Sequence, residues 1–296
     1  MHPWLEPDLV WMALLGLIFG SFLNVVRVRL PAGESIVHPG SRCPQCRHPL
    51  AWWQNIPLLS WFLLRGRCRS CAKPISALYP LIELTLGLLW PLCAAVAPIQ
   101  PHPVRILQIV ATSAFCWIML LLAALDREHL WLPDRVTWPA IALGLLYQWI
   151  RAVLAPAPVS FLLAELLRSP ALLRSPFAAL LHAALAALSG AAIVLVIRLV
   201  YWVVRRREGM GLGDAKLMAA LGAWLGFAGM TDSFMVAVLT ASLVALLWIA
   251  FRLRHHGAES WSMLPLPLGT FLALAAIVEI FHRAWLWNFW MRLYGL

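Results

Sequence analysis

The chain has 296 residues, 62% of them hydrophobic and only 12% charged, with a mean hydropathy of +0.80. That composition excludes a water-soluble globule and makes the bilayer the solvent. The formal net charge of +10 raises the question of nucleic acid, but the basic residues are separated by long apolar runs and form no soluble, aromatic-studded face, so no nucleic-acid partner is expected.

A membrane span needs roughly 20 apolar residues, and eight candidates follow one another at 9–28, 78–97, 104–125, 136–154, 177–201, 214–231, 233–251 and 266–287. The expected fold class is an all-α polytopic membrane protein with about eight transmembrane helices. Glu6 and Asp8 precede the first apolar run and Arg27 and Arg29 follow it, the reverse of a cleavable signal peptide. With the N-terminus outside, alternate sides of the spans divide the Lys and Arg residues 17 to 6 in favour of the inner side. By the positive-inside rule both termini are then periplasmic, and the long segment after the first span is cytosolic. The domains expected are a first span (1–30), a cytosolic insertion (31–77) and a seven-span remainder (78–296). Trp285, Trp287 and Trp290 read as an interfacial belt. The outer loop at 155–176 repeats LLRSP at 166–170 and 172–176 and suggests no chemistry.

The insertion holds Cys43-Pro-Gln-Cys46 and Cys68-Arg-Ser-Cys71. Two residues between cysteines let both thiolates of one turn face a single ion, and two such turns complete a tetrahedral shell. Two disulfides are the alternative, which a reducing cytosol disfavours. Four thiolates leave no open coordination position, so zinc would fold the loop and activate no water. Cys93 and Cys116 fall inside spans and read as buried thiols.

The chain has only 13 acidic residues, so each one at a membrane boundary can be weighed. Glu83 and Glu279 fall within spans, where an acid is costly and functional by default; Glu83 is a candidate for substrate or cofactor contact, and Glu279 has no evident partner in its local sequence. Asp126 ends the third span in ALDREHLWLPD and Asp214 opens the sixth in GMGLGDAKLM. Span parity puts both on the cytosolic face although 88 positions separate them. Two carboxylates held close cannot both ionise cheaply, so one keeps a proton as general acid while the other takes a proton from water. Taken singly, Asp126 reads equally as a solvated helix end and Asp214 as an N-cap. Gly209, Gly211 and Gly213 favour the functional reading, because they permit close backbone approach or positive φ beside Asp214. Asp134 reads as the N-cap of the fourth span and as a candidate for orienting Asp126. Lys216 sits two positions from Asp214 on a different helix face and reads as topological. His129, His255 and His256 lack metal-ligand spacing.

Taken in order, GSFLNVVRVRLP (20–31), CPQC, NIPLLSW (55–61), GRCRSC (66–71), ISALYPLIEL (75–84), ALDREHLWLPD (124–134), GMGLGDAKLMAALGAWLG (209–226) and PLPLGTFLALAA (265–276) make the chain resemble the type IV prepilin peptidases. The resemblance covers nearly the whole chain. It implies that Asp126 and Asp214 are the catalytic pair, Asp214 belonging to the family's GxGD motif, and that Cys43, Cys46, Cys68 and Cys71 bind zinc. It implies prepilin or type II secretion pseudopilin substrates, cut after a glycine that ends a short basic leader in the bacterial inner membrane. It also implies N-methylation of the new N-terminus with S-adenosylmethionine. The last motif departs from the family, with Leu266 and Thr270 in a segment where relatives often read PFGP. A transporter would place its acids near mid-membrane, and a non-catalytic zinc-bearing assembly factor leaves the aspartates unexplained. A broader GxGD intramembrane peptidase is the nearest rival.

Overall fold

The computed structural model describes residues 5–97, 101–156, 175–207, 210–256 and 266–293, with side chains outside the description at 5–7, 252–256 and 283–293. Gly209, most of the LLRSP repeat, and the side chains of Glu6, His255, His256, Trp285, Trp287 and Trp290 therefore lie outside the described residues. The described chain is helical: α1 (Leu5–Arg29), a short α2 (Leu59–Leu63), α3 (Leu78–Val96), α4 (His102–His129), α5 (Asp134–Leu154), α6 (Pro176–Arg205), α7 (Leu212–His256) and α8 (Leu268–Leu293). Among the described residues, five stretches are long and apolar enough to cross a membrane, at 8–29, 78–96, 102–129, 176–205 and 212–251. Their outward faces carry exposed Leu and Val, among them Leu188, Val204, Leu239 and Leu246, as side chains do when lipid is the solvent. This is a membrane protein.

The chain divides into two compact units. The first comprises residues 1–97 with 112–117 from α4. Here α1 and α3 pack closely because Gly16 and Gly20 admit the α3 backbone: a Cβ at Gly20 would lie 2.6 Å from the Glu83 Cα, and one at Gly16 would strike the Leu86 carbonyl. Small residues at the crossing are the means by which helices associate where lipid supplies no hydrophobic drive. Hydrogen bonds fix the register, Asn24 Nδ2 donating to the Tyr79 carbonyl at 3.0 Å and Trp117 Nε1 to the Phe19 carbonyl at 3.0 Å.

Between α1 and α3 the insertion is built twice over the same plan. RCPQCRHPL at 42–50 and RCRSCAKPI at 67–75 each close with a bridge between their ends, Arg42 to Pro49 and Arg67 to Pro74. In each, the first cysteine takes a turn bond from the residue after the second, Arg47 N–H to Cys43 O at 3.0 Å and Ala72 N–H to Cys68 O at 2.9 Å. Arg47 and Ala72 both hold φ of +57°, a conformation that turns the chain back around the two sulfurs. This internal duplication escapes a search for longer repeats because its two copies share only the Arg, Cys and Pro positions.

The second unit comprises residues 98–111 and 118–296. Its centre is the first leg of α7, against which α5, α6 and α8 pack. Gly190 and Gly222 let α6 and α7 touch backbone to backbone, and Ala187, Ala219 and Ala223 fill the seam. Trp224 fastens α5, donating from Nε1 to the Ala140 carbonyl at 2.7 Å while its own carbonyl accepts from Gln148 Nε2 at 2.8 Å.

At 45 residues an unbroken α7 would run about 68 Å, twice the ~30 Å of the hydrocarbon core. It is broken at Gly226, where φ is +69° and ψ −174°. The sequence-based boundary between 231 and 233 is thus corrected: the helix continues through Asp232, and the break falls at the residue whose backbone lies in a region open only to glycine. Gly226→Ala is expected to cost about 1–3 kcal/mol, read as a lower melting temperature of the detergent-solubilised protein; an unchanged melt would show that the break is not constrained.

Candidate active site

Asp126 lies in the last turn of α4 and is only 6% exposed. Its Oδ2 accepts from the Thr270 backbone N–H at 2.7 Å and lies 3.1 Å from the Thr270 hydroxyl, which is also 3.1 Å from the Ala123 carbonyl. Thr270 is the third residue of α8, so the carboxylate sits at a helix N-terminus, at the positive end of the dipole, and shares the Thr270 N–H with the Pro267 carbonyl at 3.1 Å. Gly269 makes the approach possible, since a Cβ there would lie 3.0 Å from Asp126 Cγ and Oδ2.

Asp214 is the third residue of α7, and its Oδ2 accepts from the Gly211 N–H at 3.3 Å. The N-cap reading of Asp214 is therefore corrected. Gly211 precedes the helix, and Asp214 supplies the reaching-back half of a capping box. Arg198 of α6 holds the preceding turn, donating from Nη1 to the Met210 carbonyl at 2.7 Å. Neither Gly211 nor Gly213 has positive φ; Gly213 serves close approach instead, its hypothetical Cβ lying 2.9 Å from Leu132 Cβ.

Leu132 brings the two acids together. A Cβ at Gly213 would meet one side of it, and a Cβ at Gly269 would lie 2.9 Å from its Cδ1. Thus the turn before Asp214 and the helix start that binds Asp126 rest on one side chain. Residues 126, 132, 214 and 270, drawn from three separate stretches of sequence, surround this place.

Asp134 and Lys216 pair with each other across α5 and α7. Asp134 is the first residue of α5 and Pro133 its N-cap, which corrects the N-cap reading of Asp134: proline at the boundary supplies the extended φ and ψ, and the aspartate side chain is engaged by lysine. Glu83 belongs to the first unit and accepts from the Leu58 N–H at 2.8 Å. Thr270 and Gly269 escaped the sequence analysis as site residues; a Gly-Thr pair after Pro267 at the start of the last apolar run was the available signal.

The four cysteines converge on one point. All are free thiols, and Cys43, Cys46, Cys68 and Cys71 place their sulfurs within 4.8 Å of one another, with Cys46 and Cys68 at 4.0 Å. Zinc–sulfur bonds of about 2.3 Å give a tetrahedron with edges of about 3.8 Å, so the donor set and spacing fit zinc. The backbone N–H groups of Cys71 and Ser70 hold the Cys68 thiol down at about 6, leaving a thiolate at neutral pH for an arriving cation. Cys93 and Cys116 are buried together with sulfurs 3.9 Å apart.

The chain thus carries an aspartate pair at helix starts in one unit and a four-thiol cluster in the other. Residues 14–97 match the bacterial peptidase A24 N-terminal domain and residues 113–250 the type IV leader peptidase family. Similar proteins include a prepilin leader peptidase/N-methyltransferase of Aeromonas hydrophila, 33% identical over 94% of this chain and 91% of its own length. Others of the same name come from Burkholderia pseudomallei strain 1026b, 33% identical over 93% and 85%, and from Klebsiella pneumoniae, 37% identical over 77% and 89%. No solved structure matches. The chain belongs to the type IV leader peptidase family.

Proposed function

We propose that this chain is a prepilin leader peptidase of the bacterial inner membrane that cleaves prepilins or type II secretion pseudopilins and N-methylates the new N-terminus. Support comes from one observation above the rest: Asp126 and Asp214, far apart in sequence, are seated at the starts of two helices around Leu132, in a chain whose curated relatives carry both activities in their names.

In the mechanism, a water between the two carboxyls loses a proton to the ionised aspartate while its oxygen attacks the scissile carbonyl carbon. The protonated aspartate gives its proton to the carbonyl oxygen. The resulting gem-diol collapses by breaking the C–N bond as the first aspartate returns its proton to the departing amine and one gem-diol hydroxyl gives its proton to the other aspartate, which restores the pair. Products are a leader ending in a carboxylate and a pilin with a free α-amine. The orientation expected from the basic residues puts this site and the insertion on the cytosolic side and both termini in the periplasm. Leader lysines and arginines would then lie in the cytosol while the substrate's apolar helix stays in the bilayer.

Cys43, Cys46, Cys68 and Cys71 would hold zinc, which supplies cross-linking and no water activation because every position is a thiolate. S-adenosylmethionine, when bound, supplies the methyl group for the new amine. Asp134 and Lys216 position the N-terminal turns of α5 and α7, and Gly211 and Gly213 shape the approach to Asp214.

Thr270→Val removes the hydroxyl beside Asp126 and keeps the backbone bond, so leader cleavage is expected to fall about 10–100-fold with Thr270→Ser near wild type. A Val variant with an unaltered turnover would remove Thr270 from the site. Incubating the purified protein with a prepilin, with and without S-adenosylmethionine, and weighing the products tests the whole proposal. Expected are loss of the leader mass in both and a gain of one methyl group only with the donor; an uncut prepilin would contradict it.

A further inference from the structure

Leu59, Phe62 and Leu63 of α2 are 51%, 65% and 64% exposed. Spaced by three and four positions, they form one stripe of the helix, and that stripe is entirely apolar. The opposite face is the occupied one: Ser60, Trp61 and Leu64 line a cavity of about 250 Å³, and Trp61 Nε1 donates to the Ile75 carbonyl at 3.2 Å. A helix that turns its serine inward and leaves Leu and Phe outside carries its apolar face where a water-exposed helix carries its polar one.

The depth of α2 points the same way. Facing it across the cavity are Ser21, Asn24 and Val25 of α1 and Glu83 of α3, all within the apolar stretches 8–29 and 78–96. The Glu83 Cα packs on Gly20, nine residues of α1, or about 14 Å, from Arg29. A glutamate side chain with its hydrogen bond reaches well short of that distance, and the Glu83 carboxylate accepts from the Leu58 N–H at 2.8 Å. Leu58, the residue before α2, is therefore held inside the level at which α1 ends.

Backbone at membrane depth has to satisfy its own polar groups, and the turns around α2 do so. Pro57 has no N–H. Leu58 donates to Glu83, Leu59 to the Pro57 carbonyl at 2.6 Å and Ser60 to the Ile56 carbonyl at 3.1 Å. On the far side Leu64 donates to the Ser60 carbonyl at 3.0 Å, Arg65 to that of Phe62 at 3.0 Å and Gly66 to that of Trp61 at 2.9 Å. Leu58, Arg65 and Gly66 hold φ of +59°, +51° and +65°, so the chain turns sharply on entering and on leaving the helix. Strain of this kind in leucine persists only where the surroundings impose it. Exposed Trp52 and Arg65 flank the segment, residue types that settle at the headgroup level. We propose that α2 is a re-entrant helix, dipping into the bilayer from the side on which α1 ends and laying Leu59, Phe62 and Leu63 against lipid acyl chains. Glu83 holds the turn at that depth, which gives an acid inside a span a task separate from peptide hydrolysis. Cys68 follows α2 after five residues, so the second knuckle of the cysteine module is tethered to the membrane surface.

The unaltered full chain tests this in nanodiscs of phosphatidylethanolamine and phosphatidylglycerol doped with a phospholipid that carries a diazirine on its acyl chain. Light releases a carbene among the acyl chains, and mass spectrometry of peptides locates the label. Residues 59–63 are expected to be labelled to an extent comparable with the α3 peptide bearing Leu88, which is 57% exposed, while the first knuckle at 42–50 stays unlabelled. Hydroxyl-radical footprinting of the same nanodiscs is the second arm, and Phe62 is expected to resist oxidation. Label at Leu88 but none at 59–63, with Phe62 oxidised, would place the stripe in water and overturn the proposal. Protection of 59–63 from both reagents would mean that protein covers the stripe, a second copy of the chain included, and would overturn it equally. No substrate enters the experiment, so its outcome is independent of the peptidase reading.

Discussion

Asp126→Asn and Asp214→Asn are each expected to lower leader cleavage by roughly 10⁴-fold, to the background of the assay. Either substitution leaves an amide that can neither take a proton from water nor return one to the leaving amine. The cost in folding should be small. The amide carbonyl introduced at position 126 can still accept from the Thr270 N–H, and the one introduced at position 214 from the Gly211 N–H, so each helix start keeps its partner. The stability change expected is about 1 kcal/mol, that of exchanging a charged acceptor for a neutral one. Timed mass analysis of prepilin, beside a melting curve for each variant, separates the two effects. A folded variant of either kind that cleaves at a tenth of the wild-type rate or better would remove that aspartate from the chemistry.

Loss of the proposed zinc is expected to be the other large effect. The insertion spans 47 residues, too few to bury a self-sufficient core, and domains of that size depend on a staple. Structural zinc in comparable peptides supplies about 10 kcal/mol or more. Cys43→Ser with Cys68→Ser, one ligand from each knuckle, is expected to abolish zinc binding and open residues 31–77 to limited proteolysis. Leader cleavage should be the less affected property, because Asp126, Leu132, Asp214 and Thr270 all belong to the other unit. Zinc content by elemental analysis and the proteolytic pattern are the readouts. A metal-free variant with wild-type protection would show that the four sulfurs converge for another reason.

Much of this was legible in the residues. Apolar run lengths marked the long helices, because the bilayer sets their minimum length, and the Cys-x-x-Cys spacing marked the four-cysteine cluster, because two such turns suffice to surround a tetrahedral site. Asp126 and Asp214 stood out because acids at apolar boundaries are few. What sequence could not supply was tertiary. The hold of Thr270 on Asp126 crosses 144 positions, and nothing local marks a threonine N–H as the partner of a distant carboxylate. The Asp134–Lys216 pair spans 82 positions and replaced the local capping and topological roles that each residue's neighbours suggested. Hydropathy put the division of the sixth and seventh spans near Asp232 because charge lowers it there, whereas the backbone breaks at Gly226, which a window of mean hydropathy passes over.

The central claim is that two distant aspartates act as one catalytic unit, and a double-mutant cycle tests it most directly. Single-turnover cleavage of a prepilin is measured for wild type, Asp126→Asn, Asp214→Asn and the double variant. If the pair works together, the double variant is no slower than either single variant, since the first substitution has already removed what the second would. Single losses that are each partial and multiply in the double variant would mean that the two carboxyls act independently, and the account of a shared proton would be wrong.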